Sequence, residues 1–571
     1  MALSRAAGLY RLALRTQWAA VRLLSSVGAG AEPLAGEDKP GRLIDREALR
    51  RERALRPQSI RKAYVAARPS YKQVQLNEAI KVSTSVDAVL DLATARPELL
   101  NCVIVSTALC IIAKIIGNSE PALWLKQDGR FKQLMRTACS MMENDLMDAQ
   151  GFSNLLYACG QLGIAPPPSW LCVYWDNNAM VLDDFSAQSL SNTMYACGQL
   201  GIVPPADWFL RYWHAAALQM ATWVPQDFSN TLYACGQLGI KPPLNWMQRC
   251  WHASALKLGE FKPQEISNTI YACGQLAMTP PEYWLQHFWH ASALQMTTWI
   301  AQDFSNTLYA CGQLGITPPA DWLQRCWHAS ASRLAEALPQ NLCNTLYACG
   351  QLDITPPAEW LQLLDDSFER TLPDANPQHF SNTALALATL GLWTLPVWPR
   401  LWERVCRAVS RDAADWNEES RLHTQQLYQV YQAAAVERPG LLPAPDPETL
   451  AIARKGWVDT VRVHQKESSS RLHADVSACL ARMGIAHANE RWCERAERSI
   501  DIAVEGTSAP VAVEVDGPTH FLQDGRPNGS TRLRNRMLAA HGWRVVVADY
   551  QVWEALQTEA QQEEYLRRLL A

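Results

Sequence analysis

The chain has 571 residues, 48% of them hydrophobic and 19% charged, with a formal net charge of −4. That length holds several ordinary domains or one long repeat array with an addition, and the apolar share excludes a disordered chain. No uninterrupted apolar run reaches the 18 or so residues that a membrane-spanning helix needs, so no membrane span is expected.

The first 31 residues contain no acid, and Arg5, Arg11, Arg15 and Arg22 punctuate an Ala/Leu stretch. An Arg-rich, acid-free, amphipathic start is the composition of an organelle transit peptide, here over 1–35, with a linker over 36–70. The other reading is an ordinary basic amphipathic helix. Composition alone does not separate chloroplast from mitochondrion. Charge is uneven: residues 1–150 hold 22 Lys and Arg against 15 Asp and Glu, and residues 151–398 hold 8 against 17. An acidic middle argues against a nonspecific polyanion binder. The sixteen cysteines form no CxxC pair, and six of them (Cys159, Cys197, Cys235, Cys273, Cys311 and Cys349) fall at a 38-residue interval. That spacing predicts small buried residues in a reducing compartment and no metal site.

Residues 71–147 read as helical, and from 148 to 398 the chain repeats seven times. Asn154, Asn192, Asn230, Asn268, Asn306, Asn344 and Asn382 keep a strict 38-residue register, as does a Trp from Trp170 to Trp398. Within the third unit, Phe228, Leu232, Cys235 and Leu238 fall on one helical face. Gly239 can end that helix, and Pro242-Pro243 can only open another. The second helix presents Trp246, Cys250, Trp251 and Leu256. Each unit is therefore a helix–turn–helix that cannot bury its stripe alone, and the fold class is mainly α, an α-solenoid. Phe228, Tyr233, Trp246 and Trp251 could stack on bases, but their constancy from unit to unit marks them as inter-repeat core.

One position inside the constant phrase varies. After the recurring Gln stand Gly151, Ser189, Asp227, Glu265, Asp303, Asn341 and His379. Five of these suit an N-cap, whereas Glu265 and His379 do not. The alternative is a ladder offering one hydrogen-bonding side chain per unit along the concave face. A second variable row precedes the Trp (Ser169, Asp207, Asn245, Tyr283, Asp321, Glu359, Val397) and reads as plain surface.

The unit "PQDFSNTLYACGQLGIKPPLNW" resembles the octotricopeptide repeat of organelle proteins, over about residues 148–398. "SVDAVLDLATARPELLNCVIVSTALCIIAKI" (Ser85 to Ile115) resembles the divergent helical entry of such arrays. The resemblance implies single-stranded organelle RNA as partner, about one nucleotide per repeat, and the chloroplast stroma ahead of the mitochondrial matrix as location. It makes the variable ladder the reading position, since acids accept from cytosine amino groups and Asn pairs with adenine edges.

Residues 399–450 read as a helical connector ending in a Pro-rich linker, "ERPGLLPAPDPE". A small α/β domain follows over 470–570, in the order αβββαβ. "DIAVE", "VEVDGPTHF", "LRNRMLAAHGWRVV" and Trp553 resemble the RAP domain, which in turn looks like the restriction-endonuclease fold. That likeness implies Asp501 and Glu514 as acids, with Asp516 on the same strand face. Together they could hold Mg²⁺ for phosphodiester hydrolysis, and no other cofactor is expected. The nuclease pattern places a Lys where this chain has Asp516; His520 could serve as acid or base instead. The departure favours an RNA-binding fold over a nuclease. Arg532, Arg534 and Arg536 form a candidate phosphate-contact cluster.

The expected function is sequence-selective RNA binding in organelle transcript stabilisation, processing or translation. The alternatives are an endoribonuclease guided by the repeats, a protein scaffold and a ribosome-assembly factor. Other RNA-processing or ribosomal factors are the expected protein partners.

Overall fold

A computed structural model describes residues 69–117, 121–412, 418–467, 471–505 and 510–571. The expected transit peptide and nearly all of the linker that follows it lie outside the described residues. Two compact units divide the chain, one ending at Glu260 and the other beginning at Phe261.

In the first unit, helices Tyr71–Lys81, Val86–Ala95, Cys102–Ile116 and Gly129–Glu143 lead into repeats 1 to 3. The first helices of those repeats are Ala149–Leu162, Ala187–Leu200 and Pro225–Leu238; their second helices are Pro168–Asn178, Ala206–Gln219 and Leu244–Ala255. The predicted core face holds, with Phe228, Leu232, Cys235 and Leu238 all at most 2% exposed. First helices of neighbouring repeats pack closely because small residues meet: a Cβ on Gly198 would lie 2.9 Å from the Ala234 Cα. Each first helix ends where the chain turns into the left-handed region, at Gly201 (φ 64°) and Gly239 (φ 65°). That conformation costs glycine nothing.

Tryptophans link the second helices edge to face, Trp175 on Trp208 at 5.2 Å and Trp213 on Trp246 at 4.9 Å. The Trp208 indole N–H also donates to Asn178 Oδ1 at 2.7 Å. Trp246 finds Ala216 at the equivalent place, 30 residues back, and its buried N–H has no acceptor. Leu256 departs from its expected core position and is 74% exposed. The second helix stops at Ala255, and a 3₁₀ turn swings Leu258 inward in its place.

The second unit holds repeats 4 to 7, with first helices Pro263–Leu276, Ala301–Leu314, Pro339–Leu352 and Pro377–Thr389. The same devices recur: Gly312 meets Ala348 and Gly350 meets Ala386, while Trp322 and Trp360 donate to Ser292 and Ser330. The second helix of repeat 7, Trp398–Asp412, runs past the expected end of the array. The Pro-rich stretch read as a linker is instead the turn of a further hairpin, Glu418–Glu437 with Pro447–Glu467. Its first helix packs on that of repeat 7, where the Gln426 amide donates to Asn382 at 2.7 Å.

The α/β domain then begins with helix Arg471–Arg482. Strands β1 (His487–Cys493), β2 (Arg498–Val504) and β3 (Val511–Asp516) run antiparallel in turn, and β4 (Arg544–Asp549) lies parallel to β3. The αβββαβ order is the one read from the sequence, extended by helices Tyr550–Ala555 and Glu559–Leu570. Val476, Leu480, Val513, Trp553 and Leu566 fill one core of this domain. Ala503, Ala512 and Leu538 belong to another, beneath helix Gly529–Ala540.

Candidate functional site

The variable ladder sits inside the first helices, at their third residue, three places beyond the N-cap and not at it as the capping reading expected. From there, in repeats 3 to 7, the side chain reaches back to the N–H that opens its helix. The Val224 N–H donates to Asp227 at 3.0 Å, Lys262 to Glu265 at 2.8 Å, Ile300 to Asp303 at 3.1 Å and Leu338 to Asn341 at 2.9 Å. In repeat 7 the Asn376 N–H donates to His379 Nδ1 at 3.2 Å. This is the reciprocal half of a capping box, for which Glu is well suited, so Glu265 ceases to be an exception. Burial pushes the His379 pKa down to about 4, keeping its ring neutral and accepting.

The second oxygen of the buried acids binds the preceding repeat. Ser191 donates to Asp227 and Ser267 to Asp303, both at 2.7 Å, and the Asn341 amide donates to Ser305 at 3.1 Å. Burial raises the Asp303 pKa, against the pull of those hydrogen bonds. In repeats 1 and 2 the helix is capped instead by Asp148 and Ser186, and Gly151 and Ser189 are buried. Of the second variable row, six residues are exposed and Val397 is buried.

A different face of the first helices meets solvent. Beyond Pro225, the residues of helix Pro225–Leu238 that are not buried are Gln226, Asn230, Tyr233 and Gln237. Their spacing of four, three and four puts them on one stripe. The other repeats carry the same letters, until Leu385 and Thr389 replace the Tyr and the second Gln in repeat 7. Tyrosines of successive repeats adjoin, Tyr157 and Tyr195 at 6.4 Å in the first unit, and Tyr271, Tyr309 and Tyr347 at 6.0 and 5.4 Å in the second. Asn306 likewise lies 3.5 Å from Asn268. Phe228, Trp246 and Trp251 are buried core as expected; Tyr233 is not fully buried, which constancy alone did not distinguish.

In the α/β domain, Asp501, Glu514 and Asp516 converge beneath helix Gly529–Ala540. Arg534 enters from that helix and lies between them. Its Nη2 is 2.9 Å from both oxygens of Asp516, and its Nε is 3.2 Å from Glu514 Oε2. Asp501 Oδ2 accepts the Val515 N–H at 2.8 Å, across the β2–β3 ladder. Burial raises the pKa of Asp501 and pushes that of Glu514 up to about 8, with Arg534 opposing both shifts. His520 is half exposed, its Nδ1 3.2 Å from Asp516 and 3.1 Å from the Thr531 hydroxyl. The donors do not fit Mg²⁺: a guanidinium already takes the oxygens of Asp516 and one of Glu514. Among the described residues no cluster of three or more His, Cys, Asp or Glu has metal-binding geometry.

The three arginines do not form one phosphate cluster, because helical geometry divides them. Arg534 faces the sheet, whereas Arg532 and Arg536, four apart, face the repeats. Arg532 pairs with Asp353 at 2.6 Å. Arg536 donates to the carbonyls of Ala388 and Thr389 at 2.9 and 2.5 Å and pairs with Glu437 at 2.9 Å. Ahead of the helix, the Gln523 backbone N–H donates to the Gly315 carbonyl and its side chain to that of Leu314, both at 2.9 Å. Leu522 is buried among Cys311 and Leu352. The domain thus caps the carbonyl ends of the first helices of repeats 5, 6 and 7. One sequence signal pointed here: Asp353 stands where five of the other six units place Gly and repeat 4 places Ala277, in the left-handed region at φ 53°.

Comparison with known families agrees with this architecture. The RAP domain matches residues 513–569. The C-terminal domain of the Tbc2 translation factor matches residues 83–261, and its N-terminal domain matches 245–397. The two matches stand in reversed order, as interchangeable repeats allow. A RAP domain-containing chloroplastic protein of Oryza sativa subsp. japonica is 30% identical over 190 residues, 32% of this chain and 28% of that protein. The chain thus joins a helical-repeat array, similar to the Tbc2 translation-factor domains, to a RAP domain. No helix among the described residues is long and apolar enough to cross a membrane.

Proposed function

We propose that the protein binds single-stranded RNA in an organelle, the chloroplast by its likeness to the rice protein, and acts in transcript stabilisation, processing or translation. The observation that carries the reading is the stripe typified by Gln226, Asn230, Tyr233 and Gln237, whose letters recur in repeats 1 to 6 on the same side of the first helices. Amides offer donors and acceptors to base edges, and tyrosine rings offer stacking, the combination that suits unpaired bases. One stripe per repeat supplies the register of about one nucleotide per unit. Sequence selectivity would fall to the ladder from Gly151 to His379, whose polar members already hold helix ends.

The test is binding of short single-stranded RNAs to the full chain. Tyr195→Ala with Tyr233→Ala should weaken binding about tenfold or more, since stacking contributes about 1–3 kcal/mol per base. Unchanged affinity in a variant with an unchanged circular dichroism spectrum would refute RNA contact through this face. Exchanging Asp227 and Glu265 should shift target preference in cellular crosslinking; unaltered preference would leave those residues with capping alone. A protein-binding role, as scaffold or ribosome-assembly factor, is the second reading. It is favoured by exposed Leu218 and Leu256 in the first unit and Leu294, Ile300 and Leu338 in the second. Sedimentation with ribosomal subunits, resistant to ribonuclease, would support it.

A further inference from the structure

Asp501, Glu514 and Asp516 are the acids that the likeness to the restriction-endonuclease fold would assign to a divalent ion. Here the centre of the cluster is a side chain. Arg534 is held by two oxygens of Asp516 and one of Glu514, with both acid side chains about 1% exposed. On the opposite face of the same helix, Arg532 and Arg536 engage the first helices of repeats 6 and 7. The helix is therefore pinned on both faces by arginines two residues apart.

We propose that the Asp516 carboxylate, with Glu514 beside it, forms the seat of an internal cation, Arg534, in place of a divalent metal. The ion pairs set the rotation and depth of helix Gly529–Ala540, so that Arg532, Arg536 and Leu522 meet repeats 5 to 7 together. Arg534 is a positioning residue, and the domain is a brace on the edge of the array. Three features carry this. The guanidinium fork uses two nitrogens on two acids, Nη2 on both oxygens of Asp516 and Nε beside Glu514, which the single nitrogen of a Lys ammonium cannot do. The Lys of the nuclease pattern is replaced by Asp516, which supplies the acceptor for that fork. The helix also approaches repeat 6 so closely that a Cβ on Gly529 would stand 1.7 Å from the Gly350 carbonyl oxygen, leaving little freedom in its placement.

The experiment uses the full chain as wild type, Arg534→Ala and Arg534→Lys, with Mn²⁺ as probe. Isothermal titration should detect no stoichiometric Mn²⁺ binding in the wild type or in Arg534→Lys. Arg534→Ala, with its acids unneutralised, should gain a site lost again on adding Asp516→Asn. Hydrogen exchange in peptides spanning 311–317, 350–354 and 388–392 should rise about tenfold or more in Arg534→Ala, as docking fails. Stoichiometric Mn²⁺ binding by the wild type, abolished by Asp516→Asn, would overturn the proposal without any variant at 534. Exchange unchanged in Arg534→Ala would overturn the bracing role.

Discussion

Trp246 shows how one missing atom marks a repeat. Its indole N–H is buried without an acceptor because Ala216 occupies the place held by Asn178 for Trp208, and by Ser292 and Ser330 for Trp322 and Trp360. Ala216→Ser should supply that acceptor. The hydrogen bond adds about 1 kcal/mol, the lost helix propensity subtracts about 0.5, and the net gain should appear as a higher denaturation midpoint. Glu514 carries a pH prediction. Its folded pKa of about 8 stands above the ordinary value of 4.5, because burial disfavours the charge more than Arg534 favours it. The folded state therefore holds a proton that the unfolded state releases between those values. This contribution to stability is full below pH 4.5 and is lost as pH rises through about 8. Urea unfolding at pH 6 and pH 9 should show a smaller fall in stability for Glu514→Gln than for the wild type.

At the scale of elements, the docking helix depends on close approach. Gly529→Ala places a methyl group against the Gly350 carbonyl, which belongs to helix backbone and cannot rotate away. The expected result is partial undocking, seen as faster limited proteolysis between 505 and 530 with the helical content of the repeats intact. The hairpins and the strand order were legible in the sequence because each rests on local signals: Gly239 and Pro242-Pro243 punctuate, Phe228 and Leu232 repeat at helical spacing, and "VAVEV" alternates. The docking was not legible. Arg536 finds its carbonyls almost 150 residues away, and no local pattern encodes such a partner. The capping boxes failed to register for a subtler reason. Asp227 lies three residues past Val224, an apolar residue with no side chain to mark the start of the helix. The helix Pro447–Glu467 was hidden behind the prolines that open it.

For the whole molecule, the repeats provide their own controls. The chain turns at Gly201, Gly239 and Gly315 are alike in conformation, yet Gly315 lies under the RAP domain, with Gln523 on its carbonyl. Amides around Gly315 and Asp353 should exchange more slowly than those around Gly201 and Gly239. Equal rates across all four turns would mean that the domain spends little time docked.

The position of the RAP domain bears on how such a protein can change in length. Its contacts span repeats 4 to 7 in fixed order, from Thr279 and Leu314 through Asp353 to Thr389, and the hairpin after repeat 7 leads straight into it. An added 38-residue module within that stretch would move one anchor out of reach while leaving the others in place. A module added ahead of repeat 4 would disturb none of them. Descendants of this chain can therefore gain or lose hairpins at the front and vary the length of the array, while the last four units are held to a constant number by the domain that rests on them.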